Sequence, residues 1–155
     1  MKKIIFIIIA VIGFNSCSKD FLKLTPETSQ SSATFYTNET QFQQALVATY
    51  EKTRSIAFNG IFMDEMRSDN SFFTMYPGDR GPYESTEVIA EFLDTPTTNS
   101  YVNSRWVNDY SGIARANTIL TRIVNVDFAA ASKDKIIGEA QFLRAYYYYD
   151  LVTHF

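Results

Sequence analysis

The chain has 155 residues, a length that fits about one domain, and its 46% hydrophobic and 20% charged residues give it a globular rather than a disordered composition. One Cys, 4 Pro and 6 Gly exclude a disulfide scaffold and a collagen-like or proline-rich chain, whereas 13 Phe, 10 Tyr and 1 Trp supply broad apolar faces that serve a core or a ligand surface. The formal net charge is −3 and no long basic run occurs, so the clustered Lys and Arg needed to neutralise nucleic-acid phosphates are missing.

Lys2 and Lys3 precede an apolar run over residues 4–14. A membrane-spanning helix needs about 20 apolar residues, so this run is too short to span and has the pattern of a secretory signal peptide over residues 1–16. Asn15 and Ser16 then lead to Cys17, the only cysteine. A lone cysteine just after an apolar run resembles the lipobox of bacterial lipoproteins, with Phe14 standing where the best-known form has Leu. That resemblance implies cleavage before Cys17, acylation of its thiol and amine, and an outer-membrane anchor, since several acyl chains bind a bilayer durably. Ser18-Lys19-Asp20 is similar to the export tag of surface-exposed lipoproteins. Residues 17–34 are polar, contain Pro26, and are expected to form a lipidated tether.

Three helices are predicted beyond the tether. Asn38 and Gln41 have capping-box spacing, and Phe42, Ala45, Leu46, Thr49 and Tyr50 recur on one helical face, giving a first helix over residues 39–55. Val102, Trp106, Tyr110, Ile113, Asn117, Leu120 and Val124 define a second over residues 99–124, with Trp106 assigned to the core and Asn117 to a buried amide bonded to a neighbouring helix. Ser132 is taken as the N-cap of a third, on which Ile136, Ala140, Leu143, Tyr147 and Leu151 make one apolar face. Ile137, Phe142, Ala145, Tyr148, Val152 and Phe155 widen that face, so burial on more than one side is expected.

Between the first two helices runs a long segment with little periodicity, rich in turn formers (Gly60, Pro77-Gly78, Gly81-Pro82, Pro96) and in aromatics (Phe58, Phe62, Phe72, Phe73, Tyr76, Tyr83). Loops this long are usually functional or disordered, and six aromatics favour a folded, ligand-facing loop. The third helix reaches Phe155 without a Gly cap, and its two-sided apolar surface has too few partners, which gives the expectation of an N-terminal part of a longer protein.

Four stretches carry a resemblance to one family: Cys17-Ser-Lys-Asp-Phe-Leu22, Phe35-Tyr-Thr-Asn-Glu39, Trp106-Val-Asn-Asp-Tyr-Ser-Gly-Ile-Ala-Arg-Ala-Asn117 and Gly138-Glu-Ala-Gln-Phe-Leu-Arg-Ala-Tyr146. Together they resemble the N-terminal part of a SusD/RagB-like nutrient-uptake lipoprotein of the outer membrane. The resemblance implies an all-α fold over residues 35–155, built from tetratricopeptide-like helix pairs with a long loop insertion. It also implies a lipid-anchored, surface-exposed protein that captures oligosaccharides, or peptides in RagB-like members, and delivers them to a SusC-like TonB-dependent barrel. No catalysis and no cofactor are implied. Such a repeat scaffold needs about three units for stability.

Sugar recognition needs aromatic faces for the apolar side of the ring and Asp, Asn or Arg for hydroxyls. Asp64-Glu-Met-Arg-Ser-Asp-Asn70 and Asp79-Arg80-Gly-Pro-Tyr83 offer both. By resemblance Asp69 and Arg80 are the candidate polar contacts and Tyr83 the candidate stacking ring, while loop-stabilising ion pairs and turn caps are the bland alternative for the same residues. Enzyme chemistry finds little support: His154 is the only histidine, so a catalytic triad or a histidine-ligated metal lacks its base or ligand, and adjacent Asp64 and Glu65 diverge instead of forming a facing carboxylate pair. The alternative function is a helical-repeat lipoprotein that holds another envelope protein and binds no ligand.

Overall fold

A computed structural model describes residues 34–71, 78, 81, 83–95, 97 and 99–155. Tyr36–Phe155 forms one compact unit. The leader, Cys17 and nearly all of the tether lie outside the described residues, as do Arg80, Phe72, Phe73 and Tyr76. The described residues form four α-helices and no strand: α1 Glu39–Met66, α2 Glu84–Ala90, α3 Ser100–Ile123 and α4 Ala130–His154. None of these helices is long and apolar enough to cross a membrane.

α1 starts where the capping pattern places it. Asn38 Oδ1 accepts from Gln41 N at 3.1 Å, and the Gln41 amide oxygen reaches back to Thr37 N at 2.7 Å, one residue before the reciprocal capping-box position. Phe42, Ala45, Leu46 and Thr49 are buried as expected, while Tyr50 stays partly exposed and donates its hydroxyl to Glu139 of α4 at 3.0 Å. The helix runs beyond Ser55 to Met66, which corrects the predicted end. Ile56, Gly60 and Met63 continue the buried face, and Gly60 makes no turn: a Cβ there would sit 2.9 Å from Arg105 Nη1, so the missing side chain is the space the guanidinium fills.

The predicted loop of residues 58–98 therefore shortens at its front, and it also contains the seven-residue α2. Ile89 of α2 is fully buried against Met63 and Val102, with Phe62, Met66 and Tyr101 around them. Asn99 ties this small cluster to α3. Its Oδ1 caps Tyr101 N and Val102 N at 3.0 and 3.4 Å, and its Nδ2 donates to Ser85 O at 2.6 Å.

α3 is present almost as predicted, yet it faces the core with a different stripe. Val102, Arg105, Asp109, Ile113, Ala116, Ile119 and Ile123 are buried, whereas Trp106 is 37% exposed and Tyr110 and Val124 are exposed too. Trp106 is thus a surface aromatic, with its ring 4.8 Å from Tyr110 and 5.0 Å from Phe155. Asn117 is exposed, and its interhelical bond does form, from Arg144 Nη1 of α4 at 3.0 Å.

α4 begins at Ala130 and not at Ser132, because the Ala129 carbonyl already accepts from Lys133 N at 3.0 Å. The predicted face of Ile136, Ala140, Leu143, Tyr147 and Leu151 is buried throughout. The expected second buried side is not: Phe142, Tyr148, Val152 and Phe155 are all exposed, since both packing neighbours, α1 and α3, lie on one flank of α4.

Candidate functional site

Arg105 organises the junction of α1, α3 and α4. Its side chain is 3% exposed and grips Asp150 of α4 with two parallel bonds, Nε to Oδ2 at 2.7 Å and Nη2 to Oδ1 at 2.6 Å. The third bond, Nη1 to Asp64 Oδ1 at 2.7 Å, crosses to α1. This is the forked geometry in which a guanidinium matches a carboxylate best. Burial opposes the Asp150 charge, but the bonds and charge of Arg105 outweigh it and hold the carboxyl below its ordinary range. His154 closes the group, with Nε2 at 2.8 Å from Asp64 Oδ1 and Nδ1 at 2.8 Å from the Asp150 carbonyl.

From this junction a bond leads to the surface. Arg67, at the C-cap of α1, donates Nη1 to the His154 carbonyl at 3.2 Å and Nη2 to Asp94 at 2.7 Å. It also stands 5.5 Å over the ring of Phe92. Arg67 forms one wall of a cavity of about 490 Å³ between the end of α1 and α2, a volume in the range of small-ligand sites.

The cavity walls follow from local sequence. Ser68-Asp69-Asn70-Ser71 ends α1 because short polar side chains bind backbone groups and compete with the helix. The Ser68 hydroxyl donates to the Glu65 carbonyl at 2.8 Å, and the Ser71 hydroxyl converges on the same oxygen. Asp69 and Asn70 are left exposed at the rim. Across the cavity stand Glu87, Ala90 and Glu91 of α2, followed by Phe92. Phe92 is 67% exposed and has φ 56°, in the left-handed region that costs a non-glycine residue about 1–3 kcal/mol and is found at ligand clamps.

An exposed ring beside carboxylates, an amide and hydroxyls is the set that stacks on a pyranose and bonds its hydroxyls. Of the predicted site residues, the structure places Asp69 on this wall. Tyr83 is 46% exposed at the N-cap of α2, opposite the end that carries Phe92, and does not line the cavity. Arg80 lies outside the described residues. Sequence reasoning missed Phe92, Glu87 and Glu91. The only signal for them was the short Thr86, Glu87, Ile89 pattern of α2, too brief to stand out in a segment taken as a loop.

A family model named SusD-like and described as starch-binding, associating with the outer membrane, matches residues 20–155. SusD-like protein P38 of Formosa agariphila is 28% identical over 150 residues, covering 95% of this chain and 28% of the relative. SusD-like protein P25 of the same organism is 26% identical over 161 residues, covering 99% and 30%. The chain thus spans less than a third of the length of these curated relatives. No solved structure matches it significantly.

Proposed function

The chain belongs to the SusD-like family, starch-binding proteins that associate with the outer membrane, and from that premise we propose that it captures oligosaccharides at the cell surface and passes them to a SusC-like TonB-dependent barrel, without catalysing a reaction. The observation that carries this reading is the cavity at the end of α1, which is lined by the exposed Phe92 and by the polar turn of Asp69 and Asn70. Phe92 offers a flat apolar face to a sugar ring, while Asp69, Asn70 and Glu91 accept or donate to its hydroxyls. Arg80 joins them as a proposed contact. Tyr83 is proposed as an outlying aromatic contact for a longer oligosaccharide.

The test is affinity for a panel of oligosaccharides that includes starch-derived maltooligosaccharides. Asp69→Ala and Arg80→Ala are each expected to weaken binding about tenfold, the loss of one charge-assisted hydrogen bond, with the melting temperature unchanged. Affinity unchanged in both variants would move the assignment to a helical-repeat protein that holds an envelope partner.

The anchor has its own test. Cys17 is the proposed lipidation site that holds the protein on the outer membrane. In cells fed labelled fatty acid, Cys17→Ser is expected to incorporate no label and to leave the membrane fraction. Label retained in that variant would contradict the lipobox reading.

A further inference from the structure

Asp109 lies one helical turn beyond Arg105 on the buried stripe of α3 and has no exposed surface. Among the described residues, neither of its carboxyl oxygens meets a hydrogen-bond donor. Arg105 is close enough to act on it electrostatically, but its Nε, Nη1 and Nη2 are committed to Asp150 and Asp64. The group that acts on Asp109 most strongly, after burial itself, is another acid, Asp150 on α4.

Among the described residues, Arg105 is the cation that acts on Asp109 itself. From α4, Tyr146 and Tyr147 feel the Asp109 charge, with the Tyr147 hydroxyl committed to the Thr49 carbonyl, and His154 acts on Asp150. From α1, Asp64 shares the Arg105 guanidinium. Two ionised carboxylates can only accept, so a bond between Asp109 and Asp150 requires one proton. Arg105 holds Asp150 as the anion through two bonds, which leaves Asp109 to carry it.

We propose that Asp109 is a neutral carboxylic acid that donates its proton to Asp150, so that the three-helix junction takes up a proton on folding and is locked by it. Burial first, and then the neighbouring Asp150 charge, push the Asp109 carboxyl up from 3.8 to about 8, in agreement with this assignment. In the unfolded chain Asp109 ionises near 3.8, whereas in the folded chain it keeps its proton to about 8. A raised folded value gives stability that is complete below the unfolded value and is lost as pH rises through the folded one. Between these limits the folded state binds one proton more, so the unfolding equilibrium constant gains up to about tenfold per pH unit from this group, and it levels off above about 8.

The test is denaturant unfolding of the 155-residue chain at a series of pH values from about 5 to about 8, a window set by the two limits above. The wild type is expected to lose stability as pH rises, and Asp109→Asn, which keeps a neutral donor in the same shape, to lose this one-proton slope. His154→Gln is measured alongside, because His154 bonds Asp64 and the Asp150 carbonyl at the same junction; it is expected to retain the Asp109 contribution. A slope in Asp109→Asn equal to that of the wild type would overturn the proposal. Infrared spectroscopy of the wild type with labelled aspartate decides the matter even if that variant does not fold. A protonated carboxyl at neutral pH that ionises near 8 supports the lock, and its absence at neutral pH overturns it.

Discussion

Arg105→Leu is expected to destabilise the folded chain by about 3–5 kcal/mol, measured by denaturant unfolding at neutral pH. The magnitude comes from what the substitution leaves behind. Asp150 is 8% exposed on its side chain and receives both parallel bonds from Arg105, so without the guanidinium it becomes a buried, uncompensated anion. Asp64 suffers less, because it is half exposed and retains His154 at 2.8 Å. Arg105→Lys is expected to recover only part of the loss, since an ammonium cannot form the fork. The double variant Arg105→Leu, Asp150→Leu is expected to be more stable than Arg105→Leu alone, because it removes the stranded charge along with its partner. Acid sensitivity changes with it. The depressed Asp150 value contributes stability that is present above the ordinary carboxylate range and is lost as pH falls below that range through the lowered folded value, and that contribution disappears with Arg105.

Tyr147→Ala is expected to cost a similar amount, about 3–5 kcal/mol, for a different reason. The ring is fully buried, and its hydroxyl donates to the Thr49 carbonyl at 2.6 Å, bonding α4 to α1. It packs directly on Gly112 of α3, where any Cβ would overlap the ring. Truncation therefore opens a ring-sized cavity between three helices and frees a carbonyl at the same place. Tyr147→Phe separates these contributions: it keeps the ring, deletes the bond, and is expected to cost about 1 kcal/mol by the same measurement. A loss as large for Phe as for Ala would mean that the hydroxyl, and not the volume, holds α4 in place.

These two residues mark how much of the fold could be read in advance. Tyr147 fell on a predicted apolar stripe and is buried there, because the 3.6-residue period of α4 was carried by Ile136, Ala140, Leu143 and Leu151 around it. Arg105 was invisible to the same reasoning. Hydrophobic periodicity on α3 selected Trp106 and Tyr110, whereas the face that packs carries Arg105 and Asp109 between Val102 and Ile113. The packed face is rotated by about one residue because a charge paired across helices, as Arg105 is with Asp150, can occupy a core that a hydropathy pattern reserves for apolar side chains. Helix ends showed the same division. Asn38 announced α1 through its capping spacing, whereas Asn99, counted inside the second helix by periodicity, proves to be the cap of α3; α4 starts without a side-chain cap and α1 continues through Gly60, a residue normally counted against a helix. The cavity was half legible. Asp69 stood out as a loop acid among polar neighbours, but Phe92 becomes a wall only through the turn that ends α2, with a backbone conformation that no composition rule anticipates.

Sugar binding is proposed for the cavity at the end of α1. The most direct measurement is a titration of the isotopically labelled chain with maltooligosaccharide and with other neutral and anionic oligosaccharides, following backbone amide resonances. Saturable shifts are expected for at least one of them, concentrated on residues 67–71 and 87–92, with the Phe92 ring resonances among the most affected. Shifts that saturate elsewhere, or an oligosaccharide panel that leaves those resonances unmoved, would contradict it.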